Sequence, residues 1–534
     1  MIKDFLKEEI VLAVQEAYPD TVLPHFEVEP SDHADFASNI ALVLSKFAGA
    51  NPREVAEKIQ NVLLSRETFT EAVESVEIAG PGFLNFTVGL PLLLEGVREV
   101  QSGLHGGFPF LSGEKINLEF ISVNPTGKLH IGHGRGGFYG DALGKIFSCA
   151  GAFLTREFYI NNSRESKQIK ELGKTALGRG EQYKTPALEE KISQIDFSGM
   201  SEEEAGFALS EKIQEDNQNF IEKTLGIPFD LYYSEDEELR AKEKTSAMRQ
   251  RLESLGLTYE KENAVWLKTS EYGDDEDRVL VRSDGSASYF LGDIAYHDDK
   301  FSRGFDAVFN IWGADHAGHV KRMEAVKKML QWQGEFRVFI VQMILLKGND
   351  GARAKMSKRA GTVVLLEDLV EEVGIDVARW FFLEKALSTQ MDFNLDLARD
   401  ASEKNPVRYV QYAHARMCSI LEKAGGEMQT PSEKNEKSEI SLSQVLENPS
   451  ARALALKVLQ FPAVIEEITR NCLVNQLTTY VYELAGVFSG FYRDVRVIGE
   501  GGEVNREALE MVKITRETLG GALELLGISA PEKM

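Results

Sequence analysis

The 534-residue sequence contains only three cysteines, Cys149, Cys418 and Cys472, and no two of them form a C-x-x-C pair. This scarcity argues against a zinc ribbon or a disulfide framework and favours a reducing cytosol. Apolar runs of the ~18 residues that span a bilayer are also missing. The first residues, MIKDFLKEEIVLAVQ, place acids in an amphipathic helical pattern, which is not typical of a signal or transit peptide. We therefore expect a cytoplasmic protein that does not enter a membrane.

Basic residues are also scarce relative to acidic ones. The sequence has 60 lysines and arginines against 84 aspartates and glutamates, which gives a net charge of −24. Binding to nucleic acid depends on a basic surface that releases counterions, so charge alone argues against a nucleic-acid-binding protein. A large acidic enzyme can still carry a local basic track, and its acidic remainder suppresses nonspecific RNA binding. Net charge therefore does not decide this question.

A chain of this length exceeds one hydrophobic core, and its patterns divide it into three domains. Residues 1–110 predict a small α+β domain, with helical patterns over 2–18 and 52–65. A turn at Gly80-Pro81-Gly82 precedes the predicted strand FLNFTV. Residues 391–534 are almost entirely helical in pattern and predict an all-α bundle.

Residues 114–390 alternate strands with helices, which is typical of a Rossmann-like, doubly wound parallel sheet in an α/β protein. The predicted strands are INLEFIS, FLTREFYI, RVLVR, SASYF, AVFNIW and RVFIVQMILL. An acidic, helix-rich stretch over about 165–262 is predicted to be an insertion in this domain.

The segment NPTGKLHIGHGRGG follows the first of these strands and leads into a helix. A loop before a helix N-terminus binds phosphates, because unpaired backbone N–H groups and the helix dipole point at the anion. His130 and His133 are three residues apart, so both imidazoles can donate to phosphoryl oxygens from one helix face. Gly132 and Gly134 are predicted to leave room for adenine and ribose. The alternative is a helix start with two solvated histidines.

The segment KGNDGARAKMSKRAGT is a short basic loop bracketed by glycines. The ammonium groups of Lys355 and Lys358 can close over a triphosphate and neutralise the departing pyrophosphate. On its own this loop could equally be a solvated basic turn. The HxGH element about 220 residues upstream favours the catalytic interpretation.

HIGH at 130–133 with KMSKR at 355–359 resembles the class I aminoacyl-tRNA synthetases. Several neighbouring segments resemble the arginyl-tRNA synthetase family within that class. They are EFISVNPTGKLHIGHGR, RVLVRSDGSASYFLGDIAYHDDKF, NPVRYVQYAHAR, LGGALELLGISAPEKM, DFASNIA and AGPGFLNF. The resemblance covers essentially the whole chain and implies that arginine is activated with ATP and transferred to the terminal 2′-hydroxyl of its tRNA.

The resemblance also implies an arginine pocket. Asp293 and Tyr289 match the pair that reads the side chain, while Glu119, Ser122 and Asn124 match residues that contact the substrate. A carboxylate accepts a guanidinium bidentately, and such a site should reject a neutral isostere by a factor of about 10⁴ or more. The alternative for Asp293 is a surface salt bridge or a helix cap.

ATP contacts are implied for a further set of residues, which comprises Gly132, Gly134, Asp315, His316, His319, Met356 and Ser357. Asp-His-x-x-His at 315–319 could also ligate a metal. No third strong ligand is near in sequence, so we expect no protein-bound structural metal, only Mg²⁺ carried with ATP.

The family binds the tRNA elbow through its N-terminal domain and the anticodon loop through its helical C-terminal domain. Tyr409, Gln411, His414 and Arg416 match the segment implicated in anticodon binding. Splayed anticodon bases stack on aromatic rings, although core packing is the alternative for any single aromatic here. The resemblance further implies a monomer.

Three positions depart from the family pattern. Val123 stands where proline is usual, and Asn162 lies in YINNSRES where YVND is common. Many members lack the first lysine of the second motif and rely on one before HIGH, whereas this chain has both Lys128 and Lys355. Two other functions remain open: a class I synthetase for another amino acid, and an inactive tRNA-binding paralogue.

Overall fold

The structure is a computed structural model that describes residues 2–31, 33–348, 364–425 and 442–534. Its first domain is built from α1 (Ile2–Ala17), β1 (Val28–Pro30), β2 (Phe36–Ser38), α2 (Ile40–Ala48), α3 (Pro52–Ser65), α4 (Glu67–Ala72), β3 (Val73–Ala79), β4 (Phe83–Val88) and α5 (Leu90–Gly106). The strands form an antiparallel sheet in the order β1-β2-β4-β3.

The start of α3 shows how the sequence sets these elements. Asn51 accepts a hydrogen bond from the Arg53 N–H, and Pro52 takes the first helical position, where its missing N–H costs nothing. The predicted helices over 2–18 and 52–65 and the strand FLNFTV are confirmed, with α1 ending at Ala17.

The second domain begins at β5 and contains the largest sheet. Its elements are β5 (Lys115–Glu119), α6 (Ile131–Cys149), β6 (Phe153–Ile160), α7 (Lys167–Ala176), α8 (Pro186–Ile192), α9 (Glu202–Asn219), β7 (Leu231–Ser234), α10 (Lys244–Ser254), β8 (Thr258–Lys261), β9 (Ala264–Leu267), β10 (Arg278–Val281), α11 (Tyr289–Ser302), β11 (Ala307–Gly313), α12 (Val320–Met329), β12 (Glu335–Val341), β13 (Ile344–Lys347), α13 (Leu366–Val373), α14 (Ile375–Leu383), β14 (Met391–Asn394) and α15 (Leu395–Arg399).

Five strands form a parallel sheet in the order β12-β11-β5-β6-β7. β5 is central and its two faces differ. Leu118 and the following Phe120 pack against α6, at Gly144 and Gly140. Asn117 and Glu119 point to the other face, where Glu119 meets Lys300 of α11. Helices therefore cover both faces, and the predicted doubly wound, Rossmann-like α/β fold is confirmed.

Three details of the predicted strands differ from the structure. SASYF is not a strand, because the Ser288 side chain accepts from the Leu291 N–H and caps α11, which starts at Tyr289. RVFIVQMILL is split into β12 and β13 around Gln342 and Met343. The helix-rich stretch over about 165–262 also contains β7, which pairs with β6 in the main sheet.

The C-terminal region is helical, as predicted. It contains α16 (Pro406–Lys423), α17 (Pro449–Leu459), α18 (Phe461–Asn471), α19 (Asn475–Asp494) and α20 (Arg506–Leu526). Arg452 of α17 joins this bundle to the first domain, since its guanidinium lies 2.6 Å from Asp35 and donates to the Val88 carbonyl. No helix among the described residues is both long enough and apolar enough to cross a bilayer.

Candidate active site

The loop after β5 and the start of α6 lie at the C-terminal edge of the parallel sheet, where α/β proteins bind their ligands. His130 is the N-cap of α6, and its Nδ1 accepts from the Gly132 N–H at 3.1 Å. The Nδ1 of His133 in turn accepts a hydrogen bond from the His130 backbone N–H at 3.1 Å. The two rings stack with centroids 3.5 Å apart.

This capping arrangement fixes the protonation of both histidines. A neutral imidazole whose Nδ1 accepts a hydrogen bond carries its proton on Nε2. Burial, together with the neighbouring His130, lowers the pKa of His133 to about 3. Burial is also the main cause that lowers the pKa of His130. Both side chains are therefore neutral at physiological pH, and each has an Nε2–H group that can donate to a phosphoryl oxygen.

The described ends of the second motif lie against this helix start. The Ile131 N–H donates to the Val364 carbonyl at 3.1 Å, and the Leu366 N–H donates to the Leu129 carbonyl at 3.0 Å. On the other side of the motif, the buried Arg135 donates to the Gln342 carbonyl at 3.1 Å. Lys355, Met356, Ser357 and Lys358 themselves lie outside the described residues. The described residues that flank the second motif therefore lie beside the first motif at this edge of the sheet.

The surroundings differ among three other predicted site residues, Lys128, Gly132 and Gly134. Lys128 is exposed, and its Nζ lies 2.6 Å from the Glu367 carboxylate. A Cβ at Gly132 would touch the His130 ring, so glycine permits the cap. A Cβ at Gly134 would lie 2.5 Å from Leu366, because that side chain fills the space beside it. The prediction that Gly134 leaves room for the nucleotide therefore does not fit its surroundings.

Asp293 lies one turn after Tyr289 on α11 and is half-buried. Burial, followed by the nearby carboxylates of Glu235 and Glu119, raises the pKa of Asp293 to about 7. Among the described residues its carboxylate has neither a hydrogen bond nor an ion pair. Tyr289 is 54% exposed, and its hydroxyl accepts from the Lys167 N–H at 3.3 Å. Neither a salt bridge nor a helix cap accounts for this acid.

Glu119 is buried beside Asp293 and has a cationic partner of its own. Lys300 Nζ lies 2.6 Å from Glu119 Oε2, with both side chains almost fully buried. The Tyr296 hydroxyl bridges Glu119 at 3.1 Å and Glu157 at 2.6 Å. The negative charge of Glu119 therefore acts on Asp293. Lys300 and Tyr296 fix the position of the Glu119 carboxylate.

Two further acid–base ion pairs lie near the Glu119–Lys300 pair. Glu157 pairs with Arg303 at 2.9 Å, and Arg303 together with Lys300 lowers the pKa of Glu157 to about 2 against the opposing effect of burial. Glu235 pairs with Arg240 at 3.0 Å. Three of the four acids in this region therefore have a basic partner, and Asp293 is the exception among the described residues.

Ser122 and Asn124 tie the loop after β5 to the neighbouring strand. Ser122 Oγ accepts from the Tyr159 N–H at 3.0 Å, and Asn124 Oδ1 accepts from Asn161 Nδ2 at 2.9 Å. Both side chains are half-buried in the loop that joins β5 to α6. Their contacts hold this loop against the end of β6.

Asp315, His316 and His319 lie in a short 3₁₀ turn, Ala314–His319, that follows β11. β11 neighbours β5, and the Asp315 charge acts on His130, so this turn borders the same site. Asp315 and His316 are exposed. Within the described part of the chain, no three histidine, cysteine or acidic side chains are grouped as metal ligands.

The residues predicted to contact tRNA divide into two pairs. Gln411 and His414 are buried in α16, where Gln411 donates to Asp376 and Ser529 and His414 contacts the Pro531 carbonyl. These contacts give both side chains a structural role, and their contact with tRNA stays a prediction. The Tyr409 and Tyr482 rings contact each other at a tilt of 42°, and Arg416 lies over the Tyr412 and Tyr492 rings.

Sequence reasoning missed the buried charges that support the pocket. The buried pair of Glu157 could have been predicted from the sequence. This acid lies inside the strand FLTREFYI, and a buried carboxylate needs a hydrogen-bonded or cationic partner. No such indication exists in the sequence for Lys300 and Arg303. Both lie at the C-terminal end of a helix, where a basic residue is usually exposed to solvent.

Three family models match successive parts of the chain. Residues 4–88 match the arginyl tRNA synthetase N terminal domain, and residues 188–419 match the catalytic domain of tRNA synthetases class I (R). Residues 410–534 match the DALR anticodon binding domain.

Curated relatives and solved structures agree with these matches. An arginine–tRNA ligase of Halalkalibacterium halodurans is 38% identical over 572 residues, which cover 100% of this chain and 99% of the relative. The arginyl-tRNA synthetase structure from Plasmodium falciparum has a TM-score of 0.78 at 17% identity and covers 100% of this chain and 99% of its own. That from Thermus thermophilus has a TM-score of 0.74 at 22% identity, with 100% of both chains covered. The two structures show a shared fold.

Proposed function

Because this chain belongs to the arginyl-tRNA synthetase family, we infer that it is an ATP-dependent arginine–tRNA ligase of translation. It activates arginine as the adenylate and transfers it to the 3′-terminal adenosine of its tRNA. The observation that carries this assignment is the unpaired Asp293 carboxylate, which is half-buried near Glu119 at the end of β5, the strand whose following loop leads to His130 and His133.

Arginine recognition follows from the charges of the pocket. Glu119, Glu157 and Glu235 each have a lysine or arginine partner, so their charges are largely balanced. Asp293, once ionised, adds one unbalanced negative charge to a half-buried site. A guanidinium supplies the missing cation and offers a planar pair of N–H donors to the carboxylate. A neutral side chain would leave the acid unpaired, which is costly in a desolvated site.

In the first step the arginine carboxylate attacks the α-phosphorus of ATP and pyrophosphate leaves. His130 and His133 donate their Nε2–H groups to phosphoryl oxygens, which gain charge in the transition state. The N-terminus of α6 contributes its dipole to the same oxygens. Lys355 and Lys358 are proposed to hold the pyrophosphate, and Mg²⁺ enters with ATP as part of the substrate.

In the second step the terminal 2′-hydroxyl of tRNA attacks the arginyl-adenylate and AMP leaves. Ser122 and Asn124 are proposed to position the α-amino end of arginine, because they lie in the loop that leads from Glu119 to His130. Asp315, His316 and His319 are proposed to contact the ribose or adenine of ATP.

Arginine binding should release protons near neutral pH. The pKa of Asp293 is raised to about 7 in the free protein, and a bound guanidinium favours the charged carboxylate and lowers that pKa. At pH 7 roughly half a proton per site should leave, and below pH 7 the affinity should fall by up to about tenfold per pH unit. Calorimetry in two buffers of different ionisation enthalpy measures this release. Asp293→Asn should release none, and equal heats for the wild type would contradict the linkage.

The overall assignment is tested by charging a total tRNA pool with each labelled amino acid in turn. We expect arginine alone to be esterified, in a reaction that consumes ATP. Charging by another amino acid would indicate a different class I synthetase. No charging by a folded protein would indicate an inactive paralogue.

A further inference from the structure

Lys300 of α11 is one of the largest fully buried side chains of the protein. Its Nζ donates to Glu119 Oε2 at 2.6 Å and to Asn310 Oδ1 at 3.2 Å, and it lies 4.5 Å from the centre of the Tyr296 ring. A lysine without exposed surface is rare, because an ammonium group loses its hydration when it is buried. An apolar pair of the same volume is often at least as stable as a buried ion pair. Stability alone therefore does not explain Lys300.

The two carboxylate oxygens of Glu119 have different surroundings. Oε2 accepts from Lys300 Nζ and from the Tyr296 hydroxyl. Oε1 has no hydrogen-bond partner within the described residues, and it is not fully enclosed by protein atoms. The charge of Glu119 also acts on Asp293. Two donors on Oε2 fix the rotation of the carboxylate, so Oε1 is left to a ligand that lies beside Asp293.

A chain of hydrogen bonds continues from Lys300 to the backbone of Asp293. Asn310 Nδ2 donates to His297 Nε2 at 2.9 Å, and His297 Nδ1 lies 2.8 Å from the Asp293 carbonyl. A carbonyl can only accept, so His297 carries its proton on Nδ1. Burial, followed by the charge of Lys300, lowers the pKa of His297 to about 4, so the ring is neutral. Lys300 is therefore connected to both acids of the arginine pocket.

Lys300 also supplies the positive charge that opposes Glu119. The titratable side chains that face the Glu119 carboxylate are Asp293, Tyr296, His297 and Lys300 of α11 and Glu157 and Tyr159 of β6. Lys300 is the cation of this set, since His297 is neutral. Without it, burial and the nearby acids would favour the protonated form of Glu119. A protonated carboxyl is a weaker acceptor for the N–H groups of a cation.

We propose that Lys300 is a positioning residue for arginine: it keeps Glu119 ionised and holds the carboxylate so that Oε1 accepts a hydrogen bond from the bound amino acid. Asp293 provides the charge that balances the guanidinium, and Glu119, which Lys300 already balances, provides a second acceptor. Lys300 is enclosed by protein and acts through Glu119. The inference rests on the proposed function, because the pocket must hold arginine.

The test removes the ammonium group and follows arginine charging as the pH is raised. Lys300→Met keeps the approximate length of the side chain and removes its charge and its donors. Lys457→Met is the matched control, because Lys457 of α17 is only 13% exposed and has an ion pair of the same length, 2.6 Å, with Glu483. Steady-state charging of tRNA between pH 7 and pH 9 measures kcat/KM for arginine, together with KM for arginine and for ATP.

At pH 7 we expect Lys300→Met to lower kcat/KM for arginine about a hundredfold, mainly by raising KM for arginine, with KM for ATP unchanged. The loss should shrink as the pH rises. Glu119 without its cation holds a proton near neutral pH and releases it at higher pH, which restores the acceptor. By pH 9 the ratio of wild type to variant should fall to about tenfold or less. Lys457→Met should match the wild type at each pH.

A normal kcat/KM for arginine in Lys300→Met would overturn the proposal. A loss that stays constant between pH 7 and pH 9, or that raises KM for arginine and ATP alike, would also overturn it, because the pair would then be merely structural. Thermal unfolding shows whether the variants are folded. If Lys300→Met does not fold, Lys300→Gln keeps an N–H donor without the charge and is subject to the same outcomes. If the wild type fails to charge tRNA with arginine, the proposed function fails instead.

Discussion

Asp293→Asn should lower kcat/KM for arginine by about 10³–10⁴-fold in tRNA charging. The substitution preserves the size of the side chain and removes the charge that pairs with the guanidinium. Because the other three acids of the region already have basic partners, none of them can replace Asp293 without abandoning its own. KM for ATP should change little, since the proposed ATP contacts of His130 and His133 lie at the other end of the loop after β5.

The stability of this variant separates a binding role from a structural one. Burial and neighbouring acids raise the pKa of Asp293 to about 7, so ionisation of this group at pH 8 destabilises the folded state. The neutral asparagine should therefore unfold at the same or a higher temperature than wild type at pH 8. Asp298→Asn, which loses only the peripheral pair with Arg251, is the matched control and should retain activity. A modest loss of activity shared by both variants would contradict the role of Asp293.

His133→Asn should lower kcat by about 10²–10³-fold with little change in KM for arginine. Asparagine can still accept the His130 N–H through Oδ1, in the place of the imidazole Nδ1, so the helix cap survives. What is lost is the Nε2–H donor, which acts on charge that develops in the transition state.

His133→Gln provides the complementary variant. Glutamine places its N–H₂ group near the position of the imidazole Nε2 and gives up the cap at Nδ1. We expect it to retain more kcat and less thermal stability than His133→Asn. The reverse order, with asparagine the more active of the two, would mean that His133 serves the cap alone.

Local patterns predicted the parts of the site whose geometry is local. The loop NPTGKLHIGHGRGG was predicted to open a helix, and α6 begins within it at Ile131. The reciprocal cap between His130 and His133 follows from the same three-residue spacing, although the sequence suggested only that the two rings share a face.

Contacts between distant segments could not be derived in this way. SASYF was predicted as a strand, whereas the Ser288 cap and the buried face of α11 favour a helix. Lys300 reaches Glu119 across 181 positions of sequence, and only the stacking of α11 on the sheet brings them together. Gln411 and His414 matched a tRNA-binding segment but face the C-terminal tail, because side-chain direction on α16 depends on tertiary packing.

The central claim is that one unpaired carboxylate selects a guanidinium, and competition between arginine and citrulline tests it most directly. Citrulline has nearly the same shape and replaces the cation with a neutral urea. Charging of tRNA with each amino acid by the wild type gives the ratio of their kcat/KM values. We predict a ratio of about 10⁴ or more that collapses by at least about a hundredfold in Asp293→Asn. A ratio near one, or a large ratio that Asp293→Asn leaves intact, would contradict the account.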